Sequence, residues 1–405
     1  MTTSLSLIAL LVTVLLTVSA QSADDWLSGH WDHPQATTAI SPDHWSPLEK
    51  SMHPEACAQC HQQQFDSWRL SRHARAFSAG LVGQFAAMDR VEANSCLTCH
   101  APLGEQRFSS GGELRQSLID LVVHPLGFDP QGDPDSVTTT LSHAGVTCAS
   151  CHVRGWQRFG PPVRHQSGRI GHVDGGAHGG FTAQRDYLSS QFCASCHQFP
   201  QEYAVNGKPL ENTVFEWEQS RFARAGVSCQ QCHMPDRNHL FRGIHDVGMV
   251  LSGVEIAQHA VAGGAELTLH STAVGHAFPT YVTPQIVITA EAFDAQHESL
   301  RRWRWRVGRE VEYDGGWQEI SDSRIMPGER RSFIAADAPT DSYTIHFEIT
   351  VIPDHLYKGV YRSMLADSDI TPPARTLLQR ALDSAEANDY RLYSGDTVVG
   401  STAEP

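Results

Sequence analysis

All ten cysteines of this 405-residue chain fall into five copies of the motif C-x-x-C-H. The cysteine pairs are Cys57 and Cys60, Cys96 and Cys99, Cys148 and Cys151, Cys193 and Cys196, and Cys229 and Cys232, and the histidines that follow them are His61, His100, His152, His197 and His233. Two intervening residues let both sulfurs reach one porphyrin edge and form thioethers, and the next residue then binds the iron. The motifs therefore predict five covalently attached haem c groups, with these cysteines as attachment points and these histidines as proximal ligands.

Two other uses of paired cysteines fit this pattern less well. Zinc ribbons use C-x-x-C pairs two at a time, whereas this chain has an odd number of pairs. Disulfides suit an exported protein but give no reason for a histidine after every second cysteine. Haem attachment accounts for every cysteine, so it is the prediction for all five motifs.

Little protein separates one motif from the next. The motifs begin at positions 57, 96, 148, 193 and 229. Segments this short cannot enclose a conventional hydrophobic core, so the porphyrins must contribute much of the buried apolar surface. Haems attached at this density lie close together, which is the arrangement that electron relay requires.

The opposite side of each iron decides what the haem can do. A haem with both axial positions filled carries electrons, whereas an open position allows a substrate to bind. The chain has 23 histidines and only seven methionines, so histidine is the expected second ligand. Bis-histidine ligation in turn predicts low reduction potentials.

Five histidines are candidate distal ligands from their local sequence. His73 lies in the helical-looking run FDSWRLSRHARAF, His143 shortly precedes the third motif, and His245 follows the fifth. His178 belongs to the glycine-rich loop GRIGHVDGGAHGG, where a merely solvated histidine is the alternative. His276, in the run VGHAFPT, would lock the two halves of the chain together if it bound a haem.

The N-terminal residues indicate export. Residues 5–18, LSLIALLVTVLLTV, form a short apolar run, and Val18-Ser19-Ala20 fits the small-residue rule for signal-peptide cleavage. We predict a signal peptide over 1–20 and a mature chain without a transmembrane span; because MTTSLS contains no Lys or Arg, an uncleaved anchor is the alternative. Haem attachment outside the cytoplasmic membrane agrees with export, so the predicted location is periplasmic or extracellular.

The residue pattern divides the rest of the chain. Residues 21–52 read as an extended lead-in, and 53–247 as a haem-packed domain of short helices and coil. From 248 to 370, period-two alternation in ELTLH, QIVITAEAF, RWRWRV and the run from 343 to 352 predicts an antiparallel β-sandwich without haem. Residues 371–405 contain a C-terminal amphipathic helix near 372–385 and a tail. The predicted fold class is α+β.

Two local patterns add detail. The run FDSWRLSRHARA (65–76) is similar to VFEWEQSRFARA (214–225), with Phe222 in place of His73, which indicates either an internal duplication or a chance likeness of two amphipathic helices. The arginines between 301 and 309 form a basic stripe in an acidic chain. The stripe is either a solvated strand face or a docking patch for an acidic redox partner.

Several motifs together resemble a known family. The run CAQCH followed by F-x-x-W-x-x-S-x-H-A, then FCASCHQFP, CQQCHMP and HLFRGIHD, looks like the multihaem cytochromes c related to the nitrifier tetrahaem cytochrome, and GHAFPT resembles their G-H-x-x-P-T-G. The resemblance implies bis-histidine haems in close-stacked pairs. It points to His73, to His239 or His245, and to His276 as distal ligands. This chain departs from the family in having five motifs rather than four and Tyr281 in place of the glycine after Pro-Thr.

Three functions are consistent with the sequence. The leading prediction is an electron-transfer protein that relays single electrons between a donor and an acceptor protein, with no catalytic residue. The second is a redox enzyme for a small nitrogen or sulfur compound at a five-coordinate haem; pentahaem nitrite reductases carry lysine in one motif, whereas all five motifs here end in histidine. The third is a self-associating subunit of an extracellular haem wire. The net charge of −15 argues against nucleic acid as a partner.

Overall fold

The computed structural model describes residues 23–31, 42–43, 45–124, 140–164, 170–174, 177–338 and 342–400. The predicted signal peptide lies outside these residues, as do parts of the predicted lead-in. Two regions follow one another along the chain. Up to residue 253 the structure consists of short helices, coil and small sheets, and residues 254–399 form two larger antiparallel sheets with two helices, which is the predicted α+β fold.

Short helices carry the five motifs. The helices of the first region are α1 (Ala23–His30), α2 (Pro47–Lys50), α3 (Pro54–Trp68), α4 (Ala79–Gln84), α5 (Arg90–His100), α6 (Gly111–Val123), α7 (Cys148–His152), α8 (Gln191–His197), α9 (Thr213–Glu218), α10 (Arg221–Arg224), α11 (Cys229–His233) and α12 (Val247–Gly253). Helices α5, α7, α8 and α11 each end at the histidine of their motif, whereas α3 continues past His61 through a kink. The side chains of Asp89 and Thr147 accept hydrogen bonds from first-turn N–H groups of α5 and α7, which have no partner within the helix. These caps fix where the two motif helices begin.

Small sheets join these helices. Strands β1 (Val153–Arg154), β2 (Gln157–Gly160), β3 (Gly171–Val173) and β4 (Phe181–Ala183) form one sheet in the order β1-β2-β4-β3. Strands β5 (Ala204–Val205) and β6 (Lys208–Pro209) form a hairpin. The strands of both sheets are too short to form a face of alternating hydrophobic residues. The packing of this region therefore depends on the contacts of the motif histidines and cysteines.

The second region is a sandwich of two sheets around one core. Its strands are β7 (Val254–Val261), β8 (Gly264–Ser271), β9 (Gln285–Phe293), β10 (Ser299–Tyr313), β11 (Trp317–Asp322), β12 (Arg330–Ala336), β13 (Tyr343–Ile352) and β14 (Tyr390–Val399). The sheet orders are β11-β10-β9-β13-β14 and β12-β8-β7. Alternate side chains of β13, such as Ile345 and Phe347, are fully buried and share a core with Leu267 and Leu269 of β8. His346 faces outward, as its place in the alternation predicts, and its Nδ1 lies 2.6 Å from an Asp396 carboxylate oxygen.

Two helices return from the sandwich to the first region. They are α13 (His355–Ala366) and α14 (Pro372–Ala387), and α14 extends the predicted helix by two residues. Leu377 of α14 belongs to the same buried cluster as Phe77 and Leu81. A Cβ atom on Gly83 would lie 2.8 Å from Cγ of Leu378, so the close approach of α14 to α4 requires glycine there.

Several elements do not follow from the sequence pattern. No strand is predicted after the C-terminal helix, yet β14 pairs with β13 from Tyr343 to Val351. Gly395 and Asp396 interrupt the apolar pattern of β14, which is why the alternation is weak there. Arg309 is not part of a solvated stripe: its side chain is fully buried, 2.7 Å from Glu319, and donates to three backbone carbonyls of residues 205–209. It joins the sandwich to the β5–β6 hairpin.

The two similar runs also match in their contacts. Trp68 donates its indole N–H to the carbonyl of Val146, and Trp217 donates to that of Val227, at 2.8 and 3.0 Å. Val146 and Val227 each lie two residues before a haem motif. The first contact spans 78 residues and the second ten, so both duplication and chance likeness stay open. Among the described residues, no helix is long and apolar enough to cross a membrane.

Candidate haem centres

The motif histidines are oriented by hydrogen bonds at one ring nitrogen. Nδ1 lies 2.6 to 3.0 Å from an oxygen atom in four of the five motifs: the pairs are His100 with the Ala76 carbonyl, His152 with the Phe159 carbonyl, His197 with the Tyr281 hydroxyl and His233 with the Arg242 carbonyl. An Nδ1 that donates its proton to an oxygen leaves Nε2 as the lone-pair nitrogen. Each of these rings is therefore held in the tautomer that binds a metal through Nε2.

Three of the motif histidines face a second histidine. The ring centroids are 6.2 Å apart for His73 and His197, 6.2 Å for His152 and His239, and 6.3 Å for His233 and His276. The distal members come from the loop after α3, the segment after α11 and the loop between β8 and β9. All three were distal-ligand predictions, His239 through the family resemblance as an alternative to His245.

These separations fit an iron atom between the rings. Two metal–nitrogen distances of about 2 Å, plus the distance from nitrogen to ring centroid in each imidazole, add up to about 6 Å between the centroids. No described residue forms a hydrogen bond with Nε2 of any of the six histidines. Burial, with smaller contributions from neighbouring charged groups, lowers the pKa of His73 to about 3 and those of His152, His197 and His276 to about 4. Neutral imidazole is the form that binds iron, so the donor sets fit bis-histidine haem.

The first motif is more exposed than the others. The sequence predicts the same attachment role for Cys60 as for the other cysteines, but the structure places Cys60 at the exposed surface. Cys232 is exposed as well, whereas the remaining cysteines are partly buried. The physical reason at Cys60 is that α3 continues past His61, which is also exposed, and leaves this side of the helix open to solvent. A haem joined to Cys60 would cover this surface, and that attachment stays a prediction.

The first motif also has His178 near its histidine. The backbone N–H of His178 donates to Glu49 at 2.7 Å, and its Nδ1 lies 3.0 Å from the Gly180 carbonyl. Burial is the main cause of its lowered pKa, and the proximity of His61 contributes. The loop is held closely at Gly180, where a Cβ would collide with the Val173 carbonyl oxygen. His178 is thus held by its backbone and ring contacts rather than solvated in a loop, and its role as a distal ligand stays a prediction.

The second motif has a different environment. No histidine among the described residues faces His100 in the way the three pairs do. His143, a predicted distal ligand, stacks on Phe77 with ring centroids 5.0 Å apart. Burial, with a contribution from nearby Cys99, raises the pKa of Glu211 to about 8. Partial desolvation raises the pKa of Tyr357 on α13, whose ring is over a third exposed, and Glu211 and Cys96 are among its neighbours.

His245 is engaged elsewhere. Its Nε2 lies 3.1 Å from a carboxylate oxygen of Asp354, at the start of α13. Asp354 also accepts a hydrogen bond from Asn388 at 2.7 Å. The sequence could not show this, because Asp354 and Asn388 are more than 100 residues away from His245. The structure therefore joins His245 to the C-terminal helices and places His239 opposite a motif histidine.

The sulfur atoms show which motifs are neighbours. Cys57 and Cys148, Cys99 and Cys196, and Cys193 and Cys229 are close enough to shift each other's pKa values. Cys151 is likewise close enough to Cys193 and Cys196 to affect their pKa values. The motifs therefore form the path first–third–fourth–fifth, and the second motif joins at the fourth.

The sandwich contributes directly to this arrangement. The loop between β8 and β9 places His276 opposite His233 and Tyr281 against His197. Glu216 of α9 accepts hydrogen bonds from the Ala277 backbone at 3.1 Å and from Arg324 at 2.8 Å, and both carboxylate and guanidinium are almost fully buried. The two regions therefore meet through a buried ion pair beside the fourth and fifth motifs. From the sequence, Tyr281 stands out only as a departure from the family pattern, and nothing there predicts its contact with His197.

Two comparisons with known proteins agree with this geometry. Residues 56–120 match the model of the family described as cytochrome c554 and c-prime. The fold resembles the crystal structure of a penta-heme cytochrome c552 from Thermochromatium tepidum, with a TM-score of 0.54 and 16% sequence identity over 87% of this chain and 100% of that one. No curated protein matches the chain.

The family model covers the segment that carries the first two motifs. The likeness to the penta-heme cytochrome extends over most of the chain and shows a shared fold.

Proposed function

We propose that the chain is a five-haem electron-transfer protein, exported to the periplasm or beyond, that relays single electrons between a donor and an acceptor protein. The observation that carries this proposal is the set of three histidine pairs with ring centroids 6.2 to 6.3 Å apart. When bound, haem supplies a one-electron iron couple. The paired histidines would hold a haem iron from both sides, which would exclude water and substrate from three of the five sites.

The order of the motifs supports the same proposal. Neighbouring motifs are in contact through their cysteines, from the first motif to the third, fourth and fifth. Residues of the sandwich close the far end by supplying His276. A continuous series of closely spaced sites with filled axial positions is what a relay needs, and no catalytic side chain has to be added to it.

The second motif favours a second candidate function. Among the described residues, His100 has Glu211 and Tyr357 near its cysteines instead of a facing histidine. This is the surrounding expected of a haem with an open axial position, where a small nitrogen or sulfur compound would bind and accept electrons from the other haems. Glu211, whose pKa burial raises to about 8, is of the kind found where a reaction consumes protons.

The ferric protein as isolated distinguishes the two candidates. Optical and EPR spectra of the purified holoprotein, followed through a reductive titration, count low-spin and high-spin haems. Five low-spin haems support simple electron transfer. One high-spin haem that the variant Tyr357→Phe perturbs, with the other four unchanged, supports the enzyme. Fewer than three low-spin haems would overturn the leading proposal.

A further inference from the structure

The fourth motif has a proximal histidine that differs from the others. Nδ1 of His100, His152 and His233 lies against a backbone carbonyl. Nδ1 of His197 instead lies 2.6 Å from the hydroxyl oxygen of Tyr281. Among the proximal histidines with a hydrogen bond at Nδ1 in the described residues, His197 alone has a side-chain partner.

Tyr281 reaches His197 from the sandwich. The two rings are nearly coplanar, at 14°, and their centroids are 6.3 Å apart, so with the 2.6 Å contact they lie end to end rather than face to face. Tyr281 adopts the left-handed conformation, with φ of +66°, which an L-residue rarely adopts unless its surroundings hold it there. The loop between β8 and β9 is therefore built to present the phenol to His197.

The direction of the His197–Tyr281 hydrogen bond follows from ligation. Because Nε2 of His197 faces His73, Nδ1 carries the proton and donates it to the phenolic oxygen. Thr213 lies near the Tyr281 hydroxyl and contacts Thr280 at 2.5 Å between the two hydroxyl oxygens. These three hydroxyl groups are partly buried and lie where the two regions meet.

We propose that Tyr281 sets the reduction potential of the haem at the fourth motif, by giving His197 a weaker hydrogen-bond acceptor than a backbone carbonyl. This inference rests on the proposed electron-transfer function. A strong acceptor at Nδ1 makes imidazole a stronger electron donor to iron and stabilises the ferric state. A phenolic oxygen accepts less strongly, so this haem has a higher potential than its neighbours at the third and fifth motifs.

The position of the fourth motif gives this difference a role. Its cysteines contact or lie near those of the second, third and fifth motifs. A higher potential at this junction makes it the site where electrons collect before they leave toward the second or the fifth motif. Tyr281 is thus a positioning residue that acts on iron through His197.

The test is the variant Tyr281→Phe, measured by potentiometric titration with each haem assigned by EPR or NMR. Loss of the acceptor leaves the His197 Nδ1–H without a partner, so the reduction equilibrium of one haem shifts by about threefold to tenfold toward the reduced form, where tenfold corresponds to about 59 mV for one electron. That haem stays low-spin, because His73 and His197 remain in place. A titration in which no haem shifts, or all shift equally, would overturn the inference.

Two further variants make the test specific. Tyr393→Phe removes a phenol in the sandwich whose hydroxyl donates to Gln258 at 3.0 Å, so it should leave every potential unchanged. Thr213→Val alters a neighbour of the Tyr281 hydroxyl and leaves the His197–Tyr281 contact in place, so it should shift only the same haem, and by less than Tyr281→Phe does. Unchanged potentials with all haems low-spin would reject the role of Tyr281 and leave the relay intact, whereas a lack of low-spin haems in the parent protein would reject the relay itself.

Discussion

In residues 254–399 the buried side chains belong to strands whose apolar residues alternate, and β13 buries every second residue from Tyr343 to Val351. Between residues 54 and 253 the helices are short, and the side chains that meet at the centre are histidines and cysteines. The sandwich is stabilised by its own hydrophobic core, whereas the motif region has a smaller apolar cluster around Phe77 and Leu81 and would depend for the rest on bonds to haem. We therefore expect the sandwich to fold without haem and the motif region to need it.

The largest expected effect is the loss of the fourth motif. Changing Cys193 and Cys196 together to serine removes the attachment points at the junction of the other motifs. We expect residues 54–253 to lose their fold, while 254–399 remain resistant to protease. Limited proteolysis with mass spectrometry and haem staining checks this. A four-haem protein with the digestion pattern of the parent would contradict the comparison.

A cavity in the sandwich core should destabilise the sandwich and leave the motif region unchanged. Phe347 is fully buried in the core shared by the two sheets. Phe347→Ala should lower the free energy of unfolding of the sandwich by about 4 kcal/mol, through lost burial and the cavity left behind. Chemical denaturation followed by circular dichroism measures the loss, and the haem absorption spectrum of the folded protein should not change. The control His346→Ala alters the next residue on the outer face, and a loss as large as that of Phe347→Ala would show that the core is not what stabilises the sheet.

One of the contacts at the boundary between the regions is a buried ion pair. Arg324 is 2.8 Å from Glu216, which also binds the backbone beside His276. Arg324→Met leaves the Glu216 carboxylate buried without its cation and should cost about 3 kcal/mol of stability. Thermal unfolding checks this, and Arg302→Met, which breaks an exposed pair with Glu291, should cost well under about 1 kcal/mol. Equal losses in the two variants would mean that the buried pair does not join the regions.

The smallest expected effect concerns pH. Burial, with Cys99 nearby, raises the pKa of Glu211 to about 8. As the pH rises through 8 the carboxyl ionises, and its negative charge opposes reduction of the haems it borders, so their potentials should fall. Potentiometric titrations between pH 6 and 9 measure the slope, and Glu211→Gln should abolish it. A slope that survives this substitution would assign the proton to another group.

The sequence predicted the two regions unequally. Period-two alternation located β9 and β13 at their observed bounds, because one face of each strand is buried. It missed β7, β11, β12 and β14, whose patterns are short, polar or interrupted. The sequence predicts an exposed Arg309, because its acceptors are carbonyl groups of residues 205–209, about 100 positions earlier in the chain.

For the haem centres, the sequence predicted local chemistry and left the tertiary contacts open. Cysteines and proximal histidines lie within five residues of each other, so their roles follow from spacing, but spacing does not show that Cys60 is exposed while Cys57 is partly buried. Distal ligands come from other segments: His276 reaches its partner from 43 positions beyond His233, and His245 is held by Asp354 instead. Only the fold could separate His239 from His245 as the residue that faces His152.

The most direct test of the account is low-temperature EPR of the oxidised holoprotein and of the variants His73→Ala, His239→Ala and His276→Ala. Each variant should convert one low-spin haem to a high-spin one, and a different haem in each case. The control His245→Ala, whose ring binds Asp354, should convert none. If the three variants retain every low-spin signal of the parent, the histidine pairs do not hold the irons and the account is contradicted.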